Sequence, residues 1–320
     1  MTRPNLVLGI LLTLLTAGLW SLAGIFIKSI DAPWITINVY RTLVAGLVLL
    51  PVALGHARRS PGGRAPAPAR RPGWIALTIL AFATTTSLFT WANQLTSAAN
   101  AILLQYSAPV WVFVLSAIVL RVHIRPSEWV CLGVAMLGVG IILLGATAGG
   151  AGGTDLLGCL VGAVTGLTFG ALLFCLRQLR DHSVVRTTCR NSLATAVLLL
   201  PGLLLWPAGD GGFGAAAVVP APQAALLLAM GLVQLAAPYL LFSVAMRHVE
   251  AHAASLLLLI EPVLNPLWVW LRFGETPGGW TLVGGTVILS SVAMVMVDAW
   301  RHGRRQAPVI ARVPADDAPA

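Results

Sequence analysis

The chain is written twice, in long apolar segments. The stretch Gln105-Tyr-Ser-Ala-Pro109-Val, running on to Pro126, Trp129 and Gly133, returns as Ile-Glu261-Pro262-Val, then Pro277, Trp280 and Gly284. Pro109 and Pro262 lie 153 positions apart, and Trp129 and Trp280 151, so a two-residue deletion falls between these landmarks. A weaker echo sets TLVAGLVLLP, ending at Pro51, against SLATAVLLLP, ending at Pro201, 150 positions on. Each copy holds five hydrophobic segments, and an odd number reverses the second copy in a bilayer.

Composition places those segments in lipid. Of 320 residues, 58% are hydrophobic and only 10% charged, with mean hydropathy +0.86. A soluble protein carries about 25% charged residues. A spanning helix needs roughly 20 apolar residues. Ten windows meet that length, at 6–29, 34–55, 74–95, 98–120, 127–146, 155–176, 187–206, 223–245, 251–271 and 278–299. Open strands would leave backbone groups unpaired in lipid, so the windows are helices. The first apolar run is too long for a signal peptide and no A-x-A site follows it. The expected fold is an all-α integral membrane protein of ten transmembrane helices, arranged as two inverted five-helix repeats at 6–146 and 155–299. A basic loop at 56–73 and a tail at 300–320 complete the chain.

The net charge of +9 invites a nucleic-acid partner, but its distribution argues against one. With both termini inside, 17 of the 20 basic residues fall on inner segments, five of them in the loop GHARRSPGGRAPAPARRPG. Lys28 and Arg272 sit at the outer ends and Arg41 lies within the second span. This positive-inside bias sets both termini in the cytoplasm of a multi-pass plasma-membrane protein. The basic loop reads as a cytoplasmic segment against anionic headgroups. The Gly-rich turn at 145–155 lacks the Gly-Lys-Ser/Thr ending of a phosphate-cradling loop. Cys131, Cys159, Cys175 and Cys189 lie in or beside spans, without C-x-x-C or histidine partners, and read as free thiols. No cofactor or metal is implied.

Ionisable groups deep in a bilayer are expensive, so each is a site candidate. Glu261 lies ten residues into the ninth span, roughly 15 Å deep. Pro262 and Pro266 follow it and free carbonyls that would face a cavity. Asn265, Trp268 and Arg272 continue from Glu261 as one polar stripe. Arg41 lies roughly 10 Å below the outer face. It either pairs with Glu261, grips a substrate carboxylate, or snorkels to the headgroups. Trp20 and Ser21 in the first span, Thr85 in the third, Gln105 and Tyr106 before Pro109, Asn191 in the seventh, and Gln234 and Tyr239 around Pro238 complete the polar ring. Of these, the expected substrate-binding set is Glu261, Arg41, Asn265, Gln105, Tyr106, Trp20, Asn191, Gln234 and Tyr239. Trp91 and Trp268 read as packing residues. Gly133, Gly138, Gly140, Gly284 and Gly285 read as close helix contacts.

The stretches GLWSLAGIFIK (18–28), YRTLVAGLVLLP (40–51) and SAANAILLQYSAPVWVFVLSAIVL (97–120), with AHAASLLLLIEPVLNPLWVWLRFGE (251–275) and the Gly-rich last span, resemble the EamA-type group of the drug/metabolite transporter superfamily. The likeness covers nearly the whole chain. It departs after the fourth span, where His123 or Ile124 stands in place of the family's acidic residue; the second copy keeps it as Glu275. The resemblance implies an inner-membrane carrier that moves small metabolites, often outward, by alternating access. Inverted repeats supply the two interchangeable conformations of many secondary transporters. One arginine and one glutamate in a cavity suit a zwitterion such as an amino acid. Proton exchange and facilitated diffusion both stand, as do monomer and homodimer. A broad drug exporter, and a channel or lipid-handling protein, are the competing readings. An enzyme is disfavoured, since no H-E-x-x-H, G-x-S-x-G or intramembrane aspartate pair occurs.

Overall fold

A computed structural model of the chain describes residues 5–58, 71–121, 126–148, 152–206, 214–249, 254 and 257–303. The described residues are helical, without a strand. The elements are α1 (Leu6–Trp20), α2 (Ala23–Ser29), α3 (Trp34–Arg58), α4 (Pro72–Leu95), α5 (Ala98–Gln105), α6 (Ala108–Leu120), α7 (Pro126–Ala148), α8 (Gly152–Gln178), α9 (Val184–Leu205), α10 (Ala221–Ala229), α11 (Ala237–Ala245), α12 (Glu261–Phe273) and α13 (Gly279–Gly303). Among them, nine helical stretches are long and apolar enough to cross a membrane. The first half of the expected ninth span, 251–256, lies largely outside the described residues, and α12 alone is too short to count. Most of the basic loop, His123, Ile124 and most of the tail also lie outside them.

The surface is apolar, unlike that of a soluble protein, and the hydrophobic interior also holds many uncharged polar side chains. Leu137, Ile118 and Val197 are more than 60% exposed, whereas Thr13, Asn38, Thr90 and Asn93 are fully buried. Six of the buried threonines satisfy themselves within their own helices. Thr13, Thr16, Thr42, Thr78, Thr90 and Thr165 each donate to the carbonyl four residues back.

Helices from the two halves pack against each other as α1 with α11, α3 with α9, α4 with α8, and α7 with α13. Exchanging the halves maps this scheme onto itself. At the α7–α13 crossing, a Cβ on Gly138 would lie 2.7 Å from the Gly284 carbonyl oxygen, and a Cβ on Gly284 would lie 2.7 Å from that of Gly138. Only glycine permits that backbone approach. Gly285 is as tight against Leu103, but Gly133 and Gly140 meet nothing within 4 Å. Those two were expected to be close contacts. They fall on other faces of α7, so a glycine in the sequence does not by itself tell which face packs.

Three helices are interrupted near mid-span. The first breaks between α1 and α2 and the fourth between α5 and α6; the eighth carries a π-helical stretch at Met230–Ala236. Proline explains two of these. Pro109 opens α6 and Pro238 opens α11, and neither can donate to the carbonyl four residues back. Pro262 stands in the same place at the start of α12, after a turn at 259–260.

Candidate functional site

The interruptions surround one cavity of about 280 Å³. Trp20 and Ala23 reach it from the α1–α2 break, Gln105, Tyr106, Ala108 and Pro109 from the α5–α6 break, and Leu258, Leu259 and Glu261 from the start of α12. Gln234 and Leu235 come from the π-helical stretch and Tyr239 from α11. A broken helix turns backbone carbonyls and small segments of chain toward the space it opens, which is why irregular backbone is tolerated there in lipid. Pro262 leaves the Leu258 carbonyl without its helical donor, and the Tyr106 hydroxyl, 3.2 Å away, takes that role. The same hydroxyl lies 2.9 Å from Glu261 Oε2.

Arg41 is 2% exposed and lines the cavity, so it does not snorkel to the headgroups. Nor does it pair with Glu261. Arg41 Nη2 donates to Asn38 Oδ1 at 2.8 Å and, more weakly, to the Thr86 carbonyl at 3.4 Å. Asn38 is fixed in turn by donating to Ser87 at 2.9 Å and Thr86 at 3.2 Å. The hydroxyl run of α4 therefore holds Arg41 from behind and leaves its Nε without a partner. Thr85 Oγ1 and Gln234 Oε1, also on the cavity wall, are likewise unpartnered. Buried polar atoms without partners are costly, and solute or water in the cavity supplies what they lack. The Tyr239 ring packs edge-on to Trp20 at 5.3 Å, and its hydroxyl is within electrostatic range of both Arg41 and Glu261.

Seven expected residues share this wall: Trp20, Arg41, Gln105, Tyr106, Gln234, Tyr239 and Glu261. Asn191 and Asn265 do not. Both are buried, Asn191 on α9 and Asn265 against Gly24 of α2, where a Cβ would come within 2.6 Å of Asn265 Oδ1. Beyond Glu261, Asn265 and Trp268 of the expected stripe face α2 and α1 rather than the cavity. Trp268 Nε1 donates to Ser21 Oγ at 2.9 Å, and Arg272 is exposed and stacks on Phe273. Helical period places Asn265 and Trp268 on the face of Glu261, but one turn on that face packs against neighbouring helices. The sequence reading missed the apolar wall of Phe82, Phe89, Phe169, Leu172, Val292 and Met296. In an all-apolar span, no pattern separates a phenylalanine facing solute from one facing lipid.

A second set of polar contacts ties the far end of the bundle. Lys28 Nζ lies 2.8 Å from Glu275 Oε2 and donates to the Thr96 carbonyl at 3.2 Å. Glu275 Oε1 accepts the Ala98 N–H at 2.7 Å, capping α5 where its dipole favours an anion. Thr96 Oγ1 donates to Asp155 and accepts from Asn100, which accepts from Thr281. Four helical segments and the 274–278 loop meet in this network. The four cysteines are buried and form no disulfide.

The EamA-like transporter family model matches the chain twice, over residues 7–144 and 156–297. The chain belongs to the EamA-like transporter family. This EamA-like chain is 28% identical over 289 residues to a protein of Archaeoglobus fulgidus named an uncharacterized transporter, covering 90% of this chain and 94% of that one. An uncharacterized transporter of Pseudomonas aeruginosa is 28% identical over 318 residues, covering 95% and 98%. A protein of known crystal structure shares the fold at 18% identity, with TM-score 0.59 over 97% of this chain and all of the other. The chain is thus a multi-pass membrane protein of a transporter family.

Proposed function

We propose that the chain is an alternating-access carrier that exports a small zwitterionic metabolite of amino-acid type across the plasma membrane. The observation that carries this reading is one cavity wall bearing both Arg41 and Glu261, unpaired with each other. Arg41 would take a carboxylate with its fork, and Glu261 an ammonium group. The aromatic wall would hold the apolar body between them. The cavity volume lies near the lower bound for small-molecule pockets, which suits a metabolite. The two repeats would rock about this site as inverted halves, with both termini cytoplasmic. The reciprocal pairing of helices across the halves supports that symmetry. The network around Lys28 and Glu275 would then close the outer end.

The same aromatic wall also favours a broad drug exporter, and counterflow separates the two. Proteoliposomes loaded with pooled amino acids and small organic acids are assayed for saturable exchange by mass spectrometry. A few exchanged zwitterions, lost in Glu261→Gln and Arg41→Gln, are expected. Exchange indifferent to both substitutions would sink the site assignment, and unsaturable flux without counterflow would indicate a channel.

A further inference from the structure

A second groove, of about 740 Å³, opens between α3, α4 and α9 at the end of the bundle where Arg71 meets the Gln178 carbonyl. Its lining is bipartite. His182, Ser183, Arg186 and Arg190 form the mouth, and Leu193 and Val197 continue the wall along α9. From Arg186 to Val197 is eleven residues, roughly 16 Å of helix, about the distance from a headgroup into the acyl region. Val197 at the apolar end is 68% exposed, open to the surrounding lipid, and Leu54, level with the start of α9, is 54% exposed.

The mouth has positive charge without a counter-ion. Arg190 Nε and Nη2 are buried and have no hydrogen-bond partner, and Arg186 sits one turn away on the same helix face. Neither arginine is paired with a carboxylate among the described residues. The connection 59–70 contains no Asp or Glu to supply one. The adjacent acid, Asp181, faces His182 at 3.5 Å. Ser183 caps α9 without using its side chain, so the free amides of that helix start add to the same positive end.

The geometry points to a binding site for an anionic phospholipid, its phosphate on Arg186, Arg190 and the α9 N-terminus and one acyl chain along Leu193 and Val197. A soluble phosphate would satisfy the mouth but leave the apolar arm to bulk lipid. Basic pockets between helices at this level are where anionic headgroups bind, and here two arginines lie within reach of one phosphate. The inference stands apart from the transport reading, because its test measures no transport.

The test is thermal unfolding of the full chain in detergent with phosphatidylglycerol, phosphatidylcholine of the same chains, or inorganic phosphate. Phosphatidylglycerol is expected to raise the midpoint at concentrations roughly tenfold lower than phosphatidylcholine. Arg186→Gln with Arg190→Gln should abolish that preference, and Arg247→Gln, an exposed arginine away from the groove, should keep it. Ala194→Phe, which fills the apolar arm while keeping both arginines, should also abolish it and guards against a double variant that fails to fold. Equal response to the two lipids, a preference that survives these substitutions, or full reproduction of the effect by inorganic phosphate would each overturn the assignment.

Discussion

The Tyr106 hydroxyl lies 2.9 Å from Glu261 Oε2, so the break in the first half's fourth span touches the helix start that mirrors it in the second half. The two positions follow the same Pro-containing repeat, and both prolines strip a carbonyl of its donor. One of those carbonyls, that of Leu258, is answered by the same hydroxyl. A single side chain therefore bridges the two halves at the cavity wall, where relative movement of the halves would be felt first.

Tyr106→Phe keeps the ring and removes that bridge. The loss of one hydrogen bond to a charged group costs about 1.5–3 kcal/mol, which is at least roughly tenfold in affinity where that bond is what holds Glu261 in its substrate-binding position. Counterflow across a substrate series gives the half-saturation constant, and the expected result is a rise of that size with the fold intact. An unchanged constant would remove Tyr106 from the site.

Among the described residues, Glu261 is the one carboxylate on the cavity wall. If a proton is the coupling ion, it is carried there. An imposed pH gradient should then drive substrate uptake into vesicles bearing the wild type and not Glu261→Gln. Drive that persists in the variant excludes Glu261 as carrier, and no drive in either leaves facilitated diffusion.

Arg41 depends on Asn38 for its position, through the 2.8 Å contact to Nη2. Asn38→Leu should leave the guanidinium only its weaker bond to the Thr86 carbonyl of α4 and weaken carboxylate substrates more than amine analogues lacking the carboxylate. The comparison is a ratio of exchange rates for the two classes. A uniform fall in both would mean only that the helix packing had been disturbed.

The α7–α13 crossing separates packing from composition. Gly138→Ala would place a methyl 2.7 Å from both the Gly284 oxygen and Ile288 Cγ1, and overpacking of this kind costs about 1–3 kcal/mol. Gly133→Ala on the same helix meets nothing within 4 Å and should be neutral or slightly stabilising. Unfolding midpoints in detergent of the two variants against wild type decide this. Equal effects would contradict the described crossing.

Much of this was legible in the amino-acid sequence, and for physical reasons. Length and hydropathy define spans because lipid forces every backbone group into a helix. Glu261 and Arg41 stand out because charge in a membrane is costly. What sequence could not supply was rotation of each helix about its axis. Asn265 and Trp268 continue the face of Glu261 yet pack on Gly24 and Ser21. Phe82 and Phe169 line the cavity with no mark to distinguish them from lipid-facing phenylalanines. The hydrogen bonds of Arg41 with α4 also depend on tertiary placement, since the Thr and Ser run of that helix has a self-sufficient intrahelical reading.

The network at the far end of the bundle predicts a gate that can be watched directly. Lys28 joins Glu275, Glu275 caps α5, and Thr96 binds Asp155 and packs against Cys159 at 3.5 Å. Exposed ion pairs contribute little to stability, about 0–1 kcal/mol, and this one is only partly buried. Its effect is therefore expected on the balance of open and closed forms, where about 1 kcal/mol moves populations roughly fivefold. Cys159 is fully buried beneath it and serves as the reporter. In a background with Cys131, Cys175 and Cys189 changed to serine, an impermeant maleimide added from outside should label Cys159 several-fold faster in Glu275→Gln than in the parent. Addition of a saturating inward-held substrate should slow both. Unaltered labelling in Glu275→Gln would show that the ion pair and cap join these helices without gating them. Faster labelling from the cytoplasmic side instead would reverse the orientation assigned from the basic loops.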